Sequence, residues 1–359
     1  MKAWYVPKLG FENLVLVTDR VKPTITGQYD LLIKNIAVGI NPADWKRCGR
    51  GEAPFSAAPF LLGNDGCGVI EEVGTAVDSN VYKPGKLVYY LTNGFQNGCF
   101  ADYTVQDARA ISLVPDKALQ NKDVKDVAVT FASLPVAAFT AYTNLCIKLR
   151  LPIFPQSKSS NPKFYKNILV TGASGGVGGF LLQLLTLWKE TLPEELAKSV
   201  KIIALCSAKN HEFAISLGAT HALDYSNPDV PSSVKELTEG EGIDAFFDNI
   251  GGTTINWAIE VLNNGGDYVT NLAVPATFDM SKLFFRSQNV HQTYLSHMYL
   301  KGLPHQLQEL KEIGNIVGEL IADGKIKSTV TDVIKFEDIK DQLAQTSQSH
   351  NKGKIVATL

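Results

Sequence analysis

Ile168-Leu-Val-Thr-Gly-Ala-Ser-Gly-Gly-Val-Gly-Gly-Phe-Leu-Leu-Gln-Leu184 is the stretch on which the reading of this chain turns. It opens with a short apolar run of the length and β-branching of a buried strand. Gly172, Gly175 and Gly178 follow at three-residue spacing, and Phe180, Leu181, Leu184 and Leu185 then recur with a helical pattern. Strand, glycine turn and helix in that order form the layout of a dinucleotide-binding βα unit. Glycine lets the backbone turn tightly and approach a pyrophosphate with no Cβ in the way. The helix then points free N–H groups and its positive dipole end at the phosphates. Gly172, Ser174, Gly175, Gly176, Val177 and Gly178 are the candidate contacts. The spacing is Gly-x-x-Gly-x-x-Gly rather than Gly-x-Gly-x-x-Gly, so the glycines alone are a weak sign, and a turn that binds nothing is the alternative. The flanking strand and helix favour the nucleotide.

Working outward, strands and helices alternate from residue 168 onward. Strands are predicted at 168–171, 201–206, 222–224, 244–248 and 267–271, with a further one near 290–294. That alternation predicts a doubly wound parallel sheet covered on both faces. Upstream the pattern is β-rich, with short runs at 14–17, 30–38, 68–73, 86–91 and 101–105 and turn signals between them, as in a compact barrel-like domain. A helical stretch at 123–145 is broken by Pro135, and 151–167 reads as a surface loop. The tail (helix 303–322, strand 328–334, helix 336–345, strand 354–358) is expected to return to the first domain. The expected division is 1–125 with 299–359 for that domain and 126–298 for the cofactor domain.

With 359 residues, 45% hydrophobic and 19% charged, the chain has material for two globular cores. A net charge of −2 gives no long-range attraction to nucleic acid or to an anionic membrane. No apolar run reaches the roughly 18 residues that span a bilayer, and the N-terminus lacks the apolar core of a signal peptide. The five cysteines are scattered and include no Cys-x-x-Cys. They argue against a disulfide framework and for a reducing compartment such as the cytoplasm.

Three further stretches carry chemistry: Val38-Gly-Ile-Asn-Pro-Ala-Asp-Trp-Lys-Arg-Cys-Gly49, Gly63-Asn-Asp-Gly-Cys-Gly-Val-Ile-Glu-Glu-Val-Gly74 and Leu134-Pro-Val-Ala-Ala-Phe-Thr-Ala-Tyr142. In this order, ahead of the glycine turn, they resemble the medium-chain dehydrogenase/reductase superfamily over essentially the whole chain, and within it the zinc-independent quinone oxidoreductase and enoyl reductase branch. The resemblance implies a Rossmann domain joined to a GroES-like β-barrel catalytic domain. It also implies that Asn41 and Thr140 touch the nicotinamide end of the cofactor and that Tyr225 stands beside a 2′-phosphate. Lys354, in Asn351-Lys-Gly-Lys354, resembles another cofactor-contacting turn. Relatives often dimerise through the sixth strand of the cofactor sheet, which leaves the oligomeric state open with a homodimer as one reading. Where zinc relatives have Cys and Gly-His-Glu, this chain has Asn41 and Gly63-Asn64-Asp65, and Ser133 to Pro135 offers no thiol, so no metal is expected. Asn41 has a second reading, as the N-cap of the helix begun by Pro42. Asp44 reads as a brace for that helix start.

Cofactor choice rests on Ala204-Leu-Cys-Ser-Ala-Lys-Asn-His211, at the end of the second cofactor-domain strand. NAD-specific sites put a carboxylate there. Ser207 and Lys209, with Asn210 beside them, instead supply a hydroxyl and a cation that suit a 2′-phosphate, which favours NADPH. A solvated surface lysine and a strand-end tyrosine are the plainer readings of Lys209 and Tyr225. Asn249, Ile250, Asn271 and Leu272 fall at the ends of later strands, where ligands of open α/β sheets bind. The expected activity is hydride transfer from NADPH to a quinone or an α,β-unsaturated carbonyl, a small-molecule substrate. The alternative is an NADPH-binding redox sensor or scaffold without turnover. No acid–base pair stands out; Tyr142 and Tyr90 are the available proton donors. Trp45, Phe95, Phe284 and Tyr294 are candidates for the substrate pocket and equally good core residues.

Overall fold

A computed structural model describes residues 1–50, 58–93, 98–154, 163–348 and 352–359. The chain divides into two compact units, Met1–Phe139 with Leu295–Leu359, and Thr140–Tyr294.

The second unit is built on six parallel strands in the spatial order His221–Asp224, Lys201–Cys206, Asn167–Thr171, Ile243–Asp248, Leu262–Thr270, Asn289–Gln292. This is the doubly wound dinucleotide-binding order. The central strand is buried along its whole length, the mark of a strand covered on both faces. The helix Gly176–Glu190 buries Phe180, Leu181, Leu184, Leu185 and Trp188. Six strands leaving the sheet in one direction put all their C-terminal ends on one edge.

The first unit carries a seven-stranded sheet around the long strand Asp30–Ile40. That strand pairs antiparallel with Asp65–Val73, Tyr103–Asp107 and Lys354–Thr358. A small second sheet joins Ala3–Val6 to Val15–Val17 and Phe60–Leu61. Leu31, Ile33, Val38, Val88, Phe100, Ile111, Phe336 and Ile355 form one apolar core between them. The tail belongs here because its last strand completes the sheet and Phe336 and Ile339 fill the core.

The division falls later than the composition implies. The helix Val124–Ala132 packs on the strands Asp30–Ile40, Asp65–Val73 and Leu87–Leu91 of the first unit. The helical stretch after it breaks at Pro135 and runs through Pro135–Tyr142 into the π-helix Thr143–Lys148. Among the described residues, no single helix is long and apolar enough to cross a membrane.

Candidate functional site

The glycine turn shows why each glycine stands where it does. Gly172 takes a φ of +57°, in the left-handed region where a side chain is strained. A Cβ on Gly178 would collide with the Gly172 carbonyl and lie 2.7 Å from the Ala173 Cα, so only glycine lets the helix pack this close to the strand. Gly175 is the N-cap of Gly176–Glu190 with no side chain capping it, so the helix starts with backbone N–H groups unclaimed by a cap.

The sheet edge gathers the other expected contacts of the second unit, because each follows a parallel strand. Tyr225 follows Asp224, Ser207 follows Cys206, Gly172 follows Thr171, Asn249 follows Asp248 and Asn271 follows Thr270. Asn210 is buried, and its Nδ2 donates to Ser174 Oγ and to Ser207 Oγ, both at 3.1 Å. This triangle ties the glycine turn to the end of the neighbouring strand. Lys209 is exposed beside it, and Tyr225 is 47% exposed. Asp224 lies in register with Cys206. Bonds from Ser226 hold its carboxyl below the usual range.

A dinucleotide fits this edge by two tests. The turn is a cradle that Cβ atoms would fill, and three side-chain oxygens along the edge are buried with no partner among the described residues: Asn249 Oδ1, Asn271 Oδ1 and Thr293 Oγ1. Buried polar atoms are normally satisfied, and ribose hydroxyls and a carboxamide carry the donors these oxygens need. Thr293 is a residue the sequence reading missed. It directly follows the last strand, where its backbone N–H donates to Thr270 O at 2.8 Å.

In the first unit Asn41 and Lys354 come together in a buried charged cluster. Lys354 Nζ donates to Asn41 Oδ1 at 2.6 Å, Ile40 O at 3.1 Å and Asp65 Oδ2 at 3.1 Å. Asn41 Nδ2 donates to Asp65 Oδ2 at 2.8 Å. The carboxamide of Asn41 therefore does not cap its helix. Asp44 does the bracing, accepting from Asn41 N at 2.8 Å and from Asn64 Nδ2 at 2.6 Å. All three hydrogens of the Lys354 ammonium are directed at protein oxygens. Burial raises the Asp65 carboxyl despite the attraction of Lys354. Burial also pushes Asp44 up to about 7. The place where zinc relatives gather thiolate and imidazole thus holds amides, two carboxylates and an ammonium. Among the described residues, no group of three or more His, Cys, Asp or Glu is arranged to hold a metal.

Thr140 is buried in the helix Pro135–Tyr142. Tyr90 is buried in the barrel and donates to Asn35 Oδ1, and burial holds its phenol protonated. Burial pushes Tyr142 up to about 12. Phe284 and Tyr294 are 76% and 49% exposed, Trp45 packs against the barrel core, and Phe95 and Asn351 lie outside the described residues.

A parallel sheet in this order, a glycine turn at its edge and a small β-barrel define a two-domain nucleotide-binding oxidoreductase fold. Residues 27–116 match the alcohol dehydrogenase GroES-like domain family and residues 217–356 the zinc-binding dehydrogenase family. The "probable quinone oxidoreductase" of Schizosaccharomyces pombe is 30% identical over 275 residues, covering 76% of this chain and 71% of that protein. The human "NAD(P)H oxidoreductase RTN4IP1, mitochondrial" is 26% identical over 384 residues, covering 99% and 88%. A mycobacterial structure, Rv1454c complexed with NADPH, superposes with a TM-score of 0.80 at 24% identity, covering 100% of both chains, and shows the shared fold. The chain belongs to the medium-chain dehydrogenase/reductase superfamily of oxidoreductases.

Proposed function

We propose that this chain is an NADPH-dependent reductase that delivers hydride to a quinone or an α,β-unsaturated carbonyl without zinc. The observation that carries the reading is the single sheet edge shared by the glycine turn, the Ser174–Ser207–Asn210 triangle and the three orphaned oxygens. NADPH, when bound, supplies the hydride. The turn and the helix start at Gly176 hold its pyrophosphate. Ser207, Lys209 and Tyr225 take the 2′-phosphate, with Lys209 matching its charge, and Asn210 supports them by holding Ser207 and Ser174. Asn271 and Thr293 orient the carboxamide, and the backbone of Ile250 and Leu272 lines the same end.

Zinc independence is supported by the donor set. Amides and an ammonium already paired to Asp65 are poor company for zinc, although one matched family is described as zinc-binding. Without a Lewis acid in this donor set, a conjugated acceptor suits the chemistry. Hydride enters at carbon, the electron pair moves onto the acceptor's oxygen, and water returns a proton. The similarity to proteins named quinone oxidoreductase and NAD(P)H oxidoreductase points the same way. The edge strand Asn289–Gln292 pairs on one side only, and Phe284 and Phe285 are exposed a few residues before it, which supports a homodimer. Five free cysteines suit a reducing compartment such as the cytoplasm.

The test is to titrate the protein with NADPH, then add quinones and enones with and without a chelator. Saturable cofactor oxidation that the chelator leaves intact is expected. Tight binding with no turnover over a broad acceptor panel would point instead to a sensor or scaffold.

A further inference from the structure

We infer that Asp248 is the positioning residue of the dinucleotide crevice, setting the Asn249 carboxamide so that its oxygen meets a hydroxyl of the nicotinamide-side ribose. The inference rests on the reading that this sheet edge binds NADPH. Asn167–Thr171 and Ile243–Asp248 are adjacent strands, and between them the strand order reverses. Crossovers leave toward opposite sides there, which opens a crevice at the C-terminal ends. Asp248 lies across the floor of that crevice with no exposed surface.

Its carboxylate joins three strands. Oδ1 accepts from Thr171 Oγ1 at 2.9 Å, Ile250 N at 2.9 Å and Gly251 N at 3.1 Å. Oδ2 accepts from Tyr268 OH at 2.5 Å and Gly251 N at 3.1 Å. Thr171 Oγ1 accepts in turn from Asn249 N at 3.0 Å, and Asn249 Nδ2 donates to Thr171 O at 2.9 Å. The turn after Asp248 bends through Gly251 and Gly252, with φ of +76° and +65°.

This network orients Asn249. With Nδ2 committed to Thr171, Oδ1 is left buried and, among the described residues, without a partner. An amide with one end satisfied and the other bare takes a donor, and a ribose hydroxyl is the donor a dinucleotide brings. A neutral amide at 248 would present an NH₂ to donors at one of the two oxygen positions, and the turn would lose its anchor.

The experiment compares Asp248→Asn, Thr171→Val and Thr171→Ser with the wild type, using calorimetry with two probes, NADPH and adenosine 2′,5′-bisphosphate. The bisphosphate carries the adenosine end and lacks the nicotinamide ribose. Asp248→Asn and Thr171→Val are expected to weaken NADPH about tenfold or more, to leave the bisphosphate unchanged, and Thr171→Ser to restore NADPH binding. If Asp248→Asn fails to fold, the Thr171 pair decides alone. NADPH binding by Thr171→Val and Asp248→Asn equal to the wild type overturns the inference, as does equal weakening of both probes, which marks a general loss of structure. A wild type that binds neither probe overturns the functional reading and this inference with it.

Discussion

Lys354→Met removes a charge while keeping an unbranched side chain of similar length in a closed site. Lys354 and Asp65 have side chains 4% and 0% exposed, so no water replaces the lost ammonium. Removing one partner of a buried pair costs about 3–5 kcal/mol. For a unit of about 200 residues at ~2–4 °C per kcal/mol, the melting temperature should fall by roughly 6–20 °C. The loss carries a pH signature. Burial already raises Asp65, and burial pushes Asp44 up to about 7. Without the ammonium both carboxyls favour their protonated forms more strongly. A carboxyl whose folded pKa lies above its unfolded value, near 3.9, binds more protons in the native state. Its stability contribution is present at low pH and is lost as pH rises through the folded pKa. The deficit of Lys354→Met relative to wild type should therefore be smaller at about pH 5 than at about pH 8, and adding Asp65→Asn should recover part of it. Thermal unfolding by circular dichroism at the two pH values reads this directly. An unchanged melting temperature, or a deficit equal at both pH values, would refute the argument that a buried ammonium balances this acid pair.

Gly178→Val should abolish NADPH binding and cost about 1–3 kcal/mol by overpacking, since its Cβ meets the Gly172 carbonyl; fluorescence titration and a melt check both. Lys209→Ala should raise KM for NADPH about tenfold and leave KM for NADH unchanged, because only the 2′-phosphate brings the charge that Lys209 meets. In Asp267, burial opposes ionisation, but bonds from His291, Lys163 and Tyr165 outweigh it and hold the carboxyl down to about 2. That stability is present above the unfolded pKa and lost as pH falls toward 2. Asp267→Asn should therefore be less stable than wild type at neutral pH, with the difference closing in acid unfolding experiments.

Much of the second unit was legible because its signals are local. The run at Ile168 and the glycines after it fix a strand, a turn and a helix within one short stretch, and Lys201–Cys206 forms as expected. Once the strands are parallel, Ser207, Asn249 and Asn271 share an edge by geometry. The helix Val124–Ala132 was assigned to the wrong side of the division because its apolar face does not say which sheet it covers. Lys354 reads in the sequence as a basic residue in a glycine turn. Its partner Asp65 lies 289 positions away, and nothing local announces the pairing. The available signal was indirect: Asp65 sits between Gly63-Asn64 and Gly66-Cys67-Gly68 with no cation near it in sequence. Asp248 read as a strand end, since its five bonds come from two neighbouring strands and a turn. Thr293 escaped because a lone hydroxyl after a short strand has no pattern until its neighbours leave it without a partner.

The central claim is that the edge after Thr171 holds a phosphorylated dinucleotide and recognises its 2′-phosphate. Calorimetric titration of the full chain with NADPH and, separately, NADH tests it most directly. The account predicts a single NADPH site per chain and NADH weaker by about tenfold or more. Absence of heat with both, or tighter binding of NADH, would contradict it.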